Sequence, residues 1–241
     1  MIDIKDILAQ NPWLIEGSVA KTSASTQLDA KANLGDKKLF ISEMQTAARG
    51  RFGRQYVTEQ GKGIYMSLSL KPSTAIKNYT ILTAAAITAA IETLTSKKPQ
   101  IKWVNDIYLD NKKIAGVLVE HLLSSDYIII GIGLNFNQIN FPLDLRDKAG
   151  SLFNEETPPI TRSQLIAEIW RQFYKLQADE TFFDIYRAHS FILGKTVEFE
   201  EQDETIIATA VDLTENGELI VNTGGLIKVI SSGEVSLKKW L

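Results

Sequence analysis

Ile101-Lys102-Trp103-Val104-Asn105-Asp106-Ile107-Tyr108-Leu109-Asp110-Asn111-Lys112-Lys113-Ile114-Ala115-Gly116-Val117-Leu118-Val119-Glu120 is apolar and β-type in short runs, with polar breaks at Asn105-Asp106 and Asp110-Asn111. Asn and Asp side chains hydrogen-bond nearby backbone and tolerate tight turns, so both breaks predict chain reversals. The apolar run Ile114 to Leu123 and a further run, Tyr127 to Ile132, extend the pattern. The spacing predicts an antiparallel or mixed sheet built from hairpins.

Upstream, Ile81 to Leu94 is Ala-rich, free of Gly and Pro, and apolar around much of its circumference. That predicts a buried helix packed on the sheet. Ile64 to Leu70 alternates, with Ile64, Met66, Leu68 and Leu70 on one face and Tyr65, Ser67 and Ser69 on the other, a strand with unlike faces. Leu39 to Glu43 reads as a strand feeding a loop from Gln45 to Gly63, and Asn11-Pro12 leaves room before it only for a short helix or an extension. Residues 138–159 read as a long loop. Thr161 and Gln164 have capping-box spacing, and Leu165, Ile169, Phe173 and Leu176 predict one long amphipathic helix running towards His189. After Gly194 come four β-type runs, divided at Gln202-Asp203, Glu215-Asn216-Gly217 and Gly224-Gly225, the pattern of a small β-barrel. The predicted architecture is an α+β domain over residues 1–192 and a small all-β domain over 193–241.

The 241 residues carry 26 Lys+Arg against 29 Asp+Glu, a formal charge of −3 that argues against a whole-surface nucleic-acid binder. Zero cysteines exclude disulfides, thiolate metal sites and thiol nucleophiles. With only His121 and His189, a histidine-built metal site is not expected. No apolar run approaches the ~20 residues of a membrane span, and the N-terminus lacks a basic-then-apolar leader, so the expected location is the cytoplasm.

The densest chemical signal is Arg49-Gly50-Arg51-Phe52-Gly53-Arg54. Glycine permits backbone turns whose N–H groups converge on an anion, and guanidinium pairs carboxylate or phosphate in a bidentate way. Alone, such a loop reads first as a solvated basic surface, with an arginine-rich RNA contact as a lesser alternative. A second signal joins Asp106 at a strand break to Lys113 beyond the next turn, which a hairpin brings near each other beside an apolar strand. A surface lysine pair is the competing reading. The third signal, Gly131-Ile132-Gly133-Leu134-Asn135, ends a strand with small residues and an amide.

Taken together and in this order, the segments resemble the biotin–protein ligases. The family's arginine-glycine loop matches Gln45 to Arg54. Its Lys-Trp-Pro-Asn-Asp segment matches Lys102 to Asp106, its Lys-Ile-Ala-Gly tail matches Lys113 to Glu120, and its glycine strand end matches Gly131 to Asn135. Gly217-Glu218-Leu219 and Gly233 to Leu237 fit its C-terminal SH3-like barrel, so the resemblance runs from about residue 20 to the end. It departs at Ala48 for Gly, Phe52 for Arg, Tyr56 for Trp and Val104 for Pro. The family's Ser-Thr-Asn motif is matched by Ser25-Thr26-Gln27, with Thr22 and Ser23 offering a competing register.

The resemblance implies a class II synthetase-like catalytic domain that joins biotin to ATP as biotinyl-5′-AMP and passes biotin to a lysine of a biotin carboxyl carrier protein, that of acetyl-CoA carboxylase. ATP and biotin are the implied substrates, and Mg²⁺ the implied ion. Arg49, Arg51, Lys113 and Asp106 are the implied catalytic residues. Ser25, Thr26, Gln45, Gly50 and Gly116 join Arg49, Arg51 and Lys113 around biotin, and Asn135 joins those three cations around the nucleotide. Arg54 reads as a structural or rim residue and Trp103 as core. A homodimer is open. Only about 24 residues precede Ser25, too few for the helix-turn-helix that some family members carry, so no sequence-specific DNA binding is expected. A lipoate–protein ligase and a catalytically inactive biotin-binding regulator are the rival readings.

Overall fold

The computed structural model describes the chain except residues 75, 77, 123–124, 202–203, 232–235 and 238–241. The Gln202-Asp203 turn, Leu123, and Gly233 to Val235 therefore lie outside the described residues.

Seven strands form the large sheet: β1 (Glu16–Ala20), β2 (Lys38–Ser42), β3 (Gly63–Leu70), β4 (Gln100–Lys102), β5 (Asp106–Leu109), β6 (Lys112–His121) and β7 (Ile128–Asn135). Their order is β1-β2-β3-β7-β6-β5-β4, parallel between β1 and β2 and antiparallel elsewhere. The expected hairpins account for its second half. Asp110 and Asn111 both take positive φ, 50° and 63°, the left-handed pair that a two-residue hairpin turn uses.

Strand β3 shows how the two faces differ. Ile64, Met66, Leu68 and Leu70 enter the main core with helix α3 (Tyr79–Leu94), whose N-terminus is capped by the Asn78 side chain accepting from the Thr80 and Ile81 N–H groups. The opposite face, with Ser67 and Ser69, is also buried, beneath helix α2 (Thr26–Ala32), so its hydroxyls need partners. Ser69 Oγ accepts from the Gly35 N–H, and Ser67 bonds α2 itself. Neither β1 nor α2 stands out by periodicity, because each is short and packed by only part of its surface.

Helix α1 (Ile4–Gln10), capped by Asp3, fills the stretch before Asn11-Pro12. The predicted long helix is in fact two. Helix α4 (Arg162–Asp179) begins with the expected Thr161–Gln164 capping box but ends where Glu180 turns left-handed, at φ 54°. Helix α5 (Phe182–His189) then starts afresh. Glu180 carries the reversal between the two helices, and Tyr186 of the second is completely buried.

The C-terminal strands β8 (Thr196–Glu201), β9 (Glu204–Leu213), β10 (Leu219–Thr223), β11 (Leu226–Ile230) and β12 (Ser236–Leu237) form an antiparallel sheet ordered β11-β10-β9-β8-β12. Its inner residues Val197, Ala208, Ala210, Leu219 and Val221 join the same apolar core as the large sheet. The β9–β10 turn reaches furthest: Trp103 Nε1–H donates to the Gly217 carbonyl at 2.9 Å, and Asn78 Nδ2 donates to Asn216 O at 3.1 Å. Gly217 has φ +79°, and a Cβ there would meet Ile81 at 2.7 Å, so only glycine suits both the turn and the close approach.

Candidate active site

On the α2 side of the large sheet lies a cavity of about 790 Å³. Its wall collects every residue that the sequence nominated: Ser25, Thr26, Gln45, Arg49, Gly50, Arg51, Asp106, Lys113, Gly116 and Asn135. Six basic side chains line it (Arg49, Arg51, Arg54, Lys102, Lys113 and Lys148) against two acidic ones, Asp106 and Asp147. In a chain of net charge −3, that concentrates cation where a polyanion would bind.

At one end the floor is polar and closely bonded. Ser25 is the N-cap of α2, yet its side chain makes no capping bond. Gln45 supplies the acceptor instead, taking the Thr26 N–H at 2.6 Å on its Oε1. Thr26 Oγ1 lies 2.8 Å from Ser67 Oγ, and Ser67 Oγ–H donates to Gln27 Oε1 at 2.8 Å. Gln27 Nε2 spans towards the carbonyls of Leu118 and Ile129, each at 3.4 Å. These side chains arrive from α2, from β3 and from the loop after β2, which is why no one segment of sequence reveals the network.

The two glycines of β7 explain the third sequence signal. A Cβ on Gly131 would lie 2.5 Å from Gln27 Oε1, and a Cβ on Gly133 would lie 2.9 Å from Tyr56 Cζ. The bare backbone lets an amide and a phenol lie against the sheet. Tyr56 O–H then donates to Asn135 Oδ1 at 2.9 Å, while Asn135 Nδ2 donates to Gly150 O at 2.8 Å. Burial, followed by the neighbouring Tyr65 and Asp106, pushes the Tyr56 phenol well above its usual pKa, so it remains a donor.

The arginine-glycine loop is folded back on itself. Gly50 N–H donates to Arg54 O at 2.8 Å, and Tyr56 N–H donates to Ala48 O at 3.0 Å. Ala48, where the family has glycine, is buried and is not among the residues with positive φ; Phe52 is, at 56°. Arg51 lies over the Phe52 ring at 5.0 Å and donates through Nη1 to Asn105 Oδ1 at 3.1 Å. Asn105 is fixed in turn by donating through Nδ2 to Val117 O at 3.0 Å.

Across the cavity the hairpin does what its spacing predicts. Lys113 Nζ sits 2.6 Å from Asp106 Oδ1. Strand register sets Asp106 opposite Gly116, where a Cβ would stand 3.4 Å from Lys113 Nζ and 3.6 Å from Asp106 Oδ1. Lys113 N–H donates to Lys148 O, and Gly150 N–H donates to Lys113 O, so the 138–150 stretch becomes a cavity wall through Phe141, Leu145 and Ala149. Trp103, 4% exposed, is core as expected, although one edge also faces the cavity, and Arg54 lines the cavity as well. Gln27, Asn105, Tyr56 and Ser67 were not nominated from sequence. Asn105 lies inside a quoted motif and could have been, whereas Ser67 looks like any polar strand residue. Of the two histidines, His189 pairs with Glu92 at 3.3 Å away from the cavity and His121 ends β6 exposed, neither near the site.

A mixed sheet carrying an arginine-glycine loop over a cation-lined cavity is the architecture of the ligases that activate a small carboxylic acid. Residues 18–137 match the Biotin/lipoate A/B protein ligase family and residues 192–238 match the Biotin protein ligase C terminal domain. The bifunctional ligase/repressor BirA of Bacillus spizizenii is 30% identical over 233 residues, covering 91% of this chain and 72% of its own length. The biotin–[acetyl-CoA-carboxylase] ligase of Mycobacterium tuberculosis is 27% identical, covering 94% and 90%. The biotin protein ligase from Aquifex aeolicus, solved in complex with biotin and ATP, superposes with a TM-score of 0.81 at 28% identity, covering 94% of this chain and all of that one. The chain belongs to the biotin protein ligase family, a family of enzymes.

Proposed function

We propose that this chain activates biotin with ATP and transfers it to a lysine of a biotin carboxyl carrier protein, as in acetyl-CoA carboxylase. One biotin carboxylate oxygen attacks the α-phosphorus, the bond to the β-phosphate oxygen breaks, and pyrophosphate leaves. The carrier lysine, as its free amine, then attacks the acyl carbon of biotinyl-5′-AMP. An amide forms, AMP departs, and the amine's proton passes to solvent.

The difficulty is electrostatic, since an anion must approach a polyanion. Two unit charges ~4 Å apart interact by about 4 kcal/mol at an effective dielectric near 20, so fixed cations are needed. The observation that carries the proposal is the convergence of Arg49, Arg51 and Lys113, from separate stretches of chain, on one cavity. Arg49 and Arg51 hold the carboxylate and α-phosphate, and Lys113 holds the carboxylate and the developing adenylate. Ser25, Thr26 and Gln45 offer hydrogen bonds to biotin, with the Gly50 backbone closing over it and Gly116 leaving it room. Asn135, oriented by Tyr56, contacts the nucleotide. With the reacting groups all on the substrates, the protein's work is positioning and charge stabilisation.

Mg²⁺ keeps most of its waters and binds substrate phosphates with one or two carboxylates. The cavity wall carries two carboxylates that would meet that demand, Asp147 and Asp106, the latter through the oxygen that Lys113 leaves free, and among the described residues no cluster of three or more His, Cys, Asp or Glu side chains suits a separate metal site. When bound with ATP, the ion supplies further charge neutralisation at the phosphates. Asp106 orients the incoming lysine or holds this ion. We place the division between catalytic and small β domains near residues 192–193, ahead of β8.

The test is mass spectrometry of a carrier domain incubated with the protein, biotin and Mg·ATP. A single biotinyl addition on one lysine is expected. An unmodified carrier, or lipoyl addition preferred when lipoate competes with biotin, overturns the proposal.

A further inference from the structure

The arginine-glycine loop leaves the sheet after Ser42 and returns to it at Gly63. Glu43, at its departure, is 8% exposed, and the Arg162 guanidinium from the first turn of α4 lies against it. Nη1 of Arg162 is 2.7 Å from Glu43 Oε2 and also donates to the Gly63 carbonyl at 3.2 Å. One cation thus touches both ends of the loop. The other carboxylate oxygen of Glu43 accepts the Ile2 N–H at 3.0 Å, and Gly61 N–H donates to Glu43 O at 3.1 Å. Both side chains of the pair are only 11% exposed. A buried ion pair is weak evidence for stability, since matched apolar groups often serve as well. Its position at both ends of the loop that carries Arg49, Gly50 and Arg51 needs another explanation.

We propose that Arg162 and Glu43 are positioning residues: together they clamp the two ends of the arginine-glycine loop at a fixed separation, so that Arg49, Gly50 and Arg51 meet the ligands already aligned. Arg162 is not among the residues of the cavity wall, so it acts through the loop. Fixing both ends removes conformational freedom that closing the loop over the adenylate must otherwise remove on binding. The proposal's ligand-retention arm rests on the biotinyl-adenylate reading; its loop-geometry arm does not.

Two readouts on three proteins test it: wild type, Arg162→Met, and the double variant Glu43→Gln with Arg162→Met. Arg162→Met leaves a buried carboxylate unpaired and lowers the thermal midpoint. The double variant removes both charges, keeps an acceptor for the Ile2 N–H, and recovers much of that midpoint. The first readout is trypsin cleavage at Arg49, Arg51 and Arg54 without ligand, well below each midpoint. The second is the escape rate of pre-formed biotinyl-adenylate by rapid filtration. Both single and double variants should be cut faster and lose adenylate faster by about 10-fold or more, the scale of one charged hydrogen bond, whether or not the midpoint recovers. A double variant that regains its midpoint together with wild-type cleavage and retention overturns the clamp, because the pair would then serve stability alone. Should the wild type itself form no adenylate, the proposed function fails, and the cleavage rates still decide the clamp.

Discussion

Lys113 Nζ is held 2.6 Å from Asp106 Oδ1, an ion pair between neighbouring strands on the cavity wall. Both groups remain partly accessible, at 35% and 23%. In the proposed reaction, an arriving biotin carboxylate or α-phosphate would compete with Asp106 for this cation.

Lys113→Ala deletes that cation and leaves Asp106 to repel the substrates. Adenylation should fall by roughly 10²–10³, the scale of losing one preorganised donor. Because a partly exposed pair adds little to stability, the thermal midpoint should barely move. Biotin-dependent exchange of pyrophosphate into ATP measures the first quantity, and a normal exchange rate would remove Lys113 from its role.

Arg51 reaches the cavity through its hold on Asn105 and the Phe52 ring. Arg51→Gly deletes a cation and loosens the loop at once. Biotinyl-adenylate should escape and label lysines of bystander proteins, read by streptavidin blotting of an added non-carrier protein. Bystander labelling no higher than that of wild type counts against retention by Arg51.

Gly131→Ala places a methyl 2.5 Å from Gln27 Oε1. The amide must swing away, losing the Ser67 hydrogen bond at the polar end of the cavity. We expect a stability cost of about 1–3 kcal/mol from overpacking and weaker biotin binding by calorimetry. In a Gln27→Ala background the same substitution should cost far less, because the two side chains interact directly. Equal costs in both backgrounds would show that the collision is not the cause.

Glu43 gives the fold an acid limit. Burial by itself would raise its carboxyl pKa, but the Arg162 hydrogen bond, the Ile2 N–H and the nearby positive charges outweigh it and hold the group below its ordinary value of 4.5. A depressed folded-state pKa means stability that is fully present above the unfolded value and is lost as pH falls through the folded one. Unfolding midpoints in urea should therefore be flat in Glu43's contribution above about pH 5 and decline below pH 4.5. Glu43→Gln should flatten that decline; an unchanged acid limb in the variant would contradict the assignment.

The hairpins, the buried helix and the capping box were legible because each is written in consecutive residues. Asp110-Asn111 sets a turn locally, and Thr161 with Gln164 starts a helix locally. The end of that helix was not legible, since Glu180 reverses the chain ahead of Tyr186, which packs against other elements and donates its hydroxyl to Val104 O. The chemistry divided in the same way. Arg49, Arg51, Asp106 and Lys113 lie in dense motifs, whereas Ser67 and Gln27 acquire their places only when α2 covers the polar face of β3.

The sequence by itself determined the strand and helix inventory of most of the chain, the family, and the cations that serve the cavity, because turn chemistry, periodicity and charge density act over a few residues. Tertiary structure alone decided which distant groups pair: Arg51 with Asn105, Tyr56 with Asn135, and Arg162 with both ends of the loop. Those contacts join residues far apart in the chain. Their partners are fixed by the order of strands and the faces the helices cover, which no local pattern encodes.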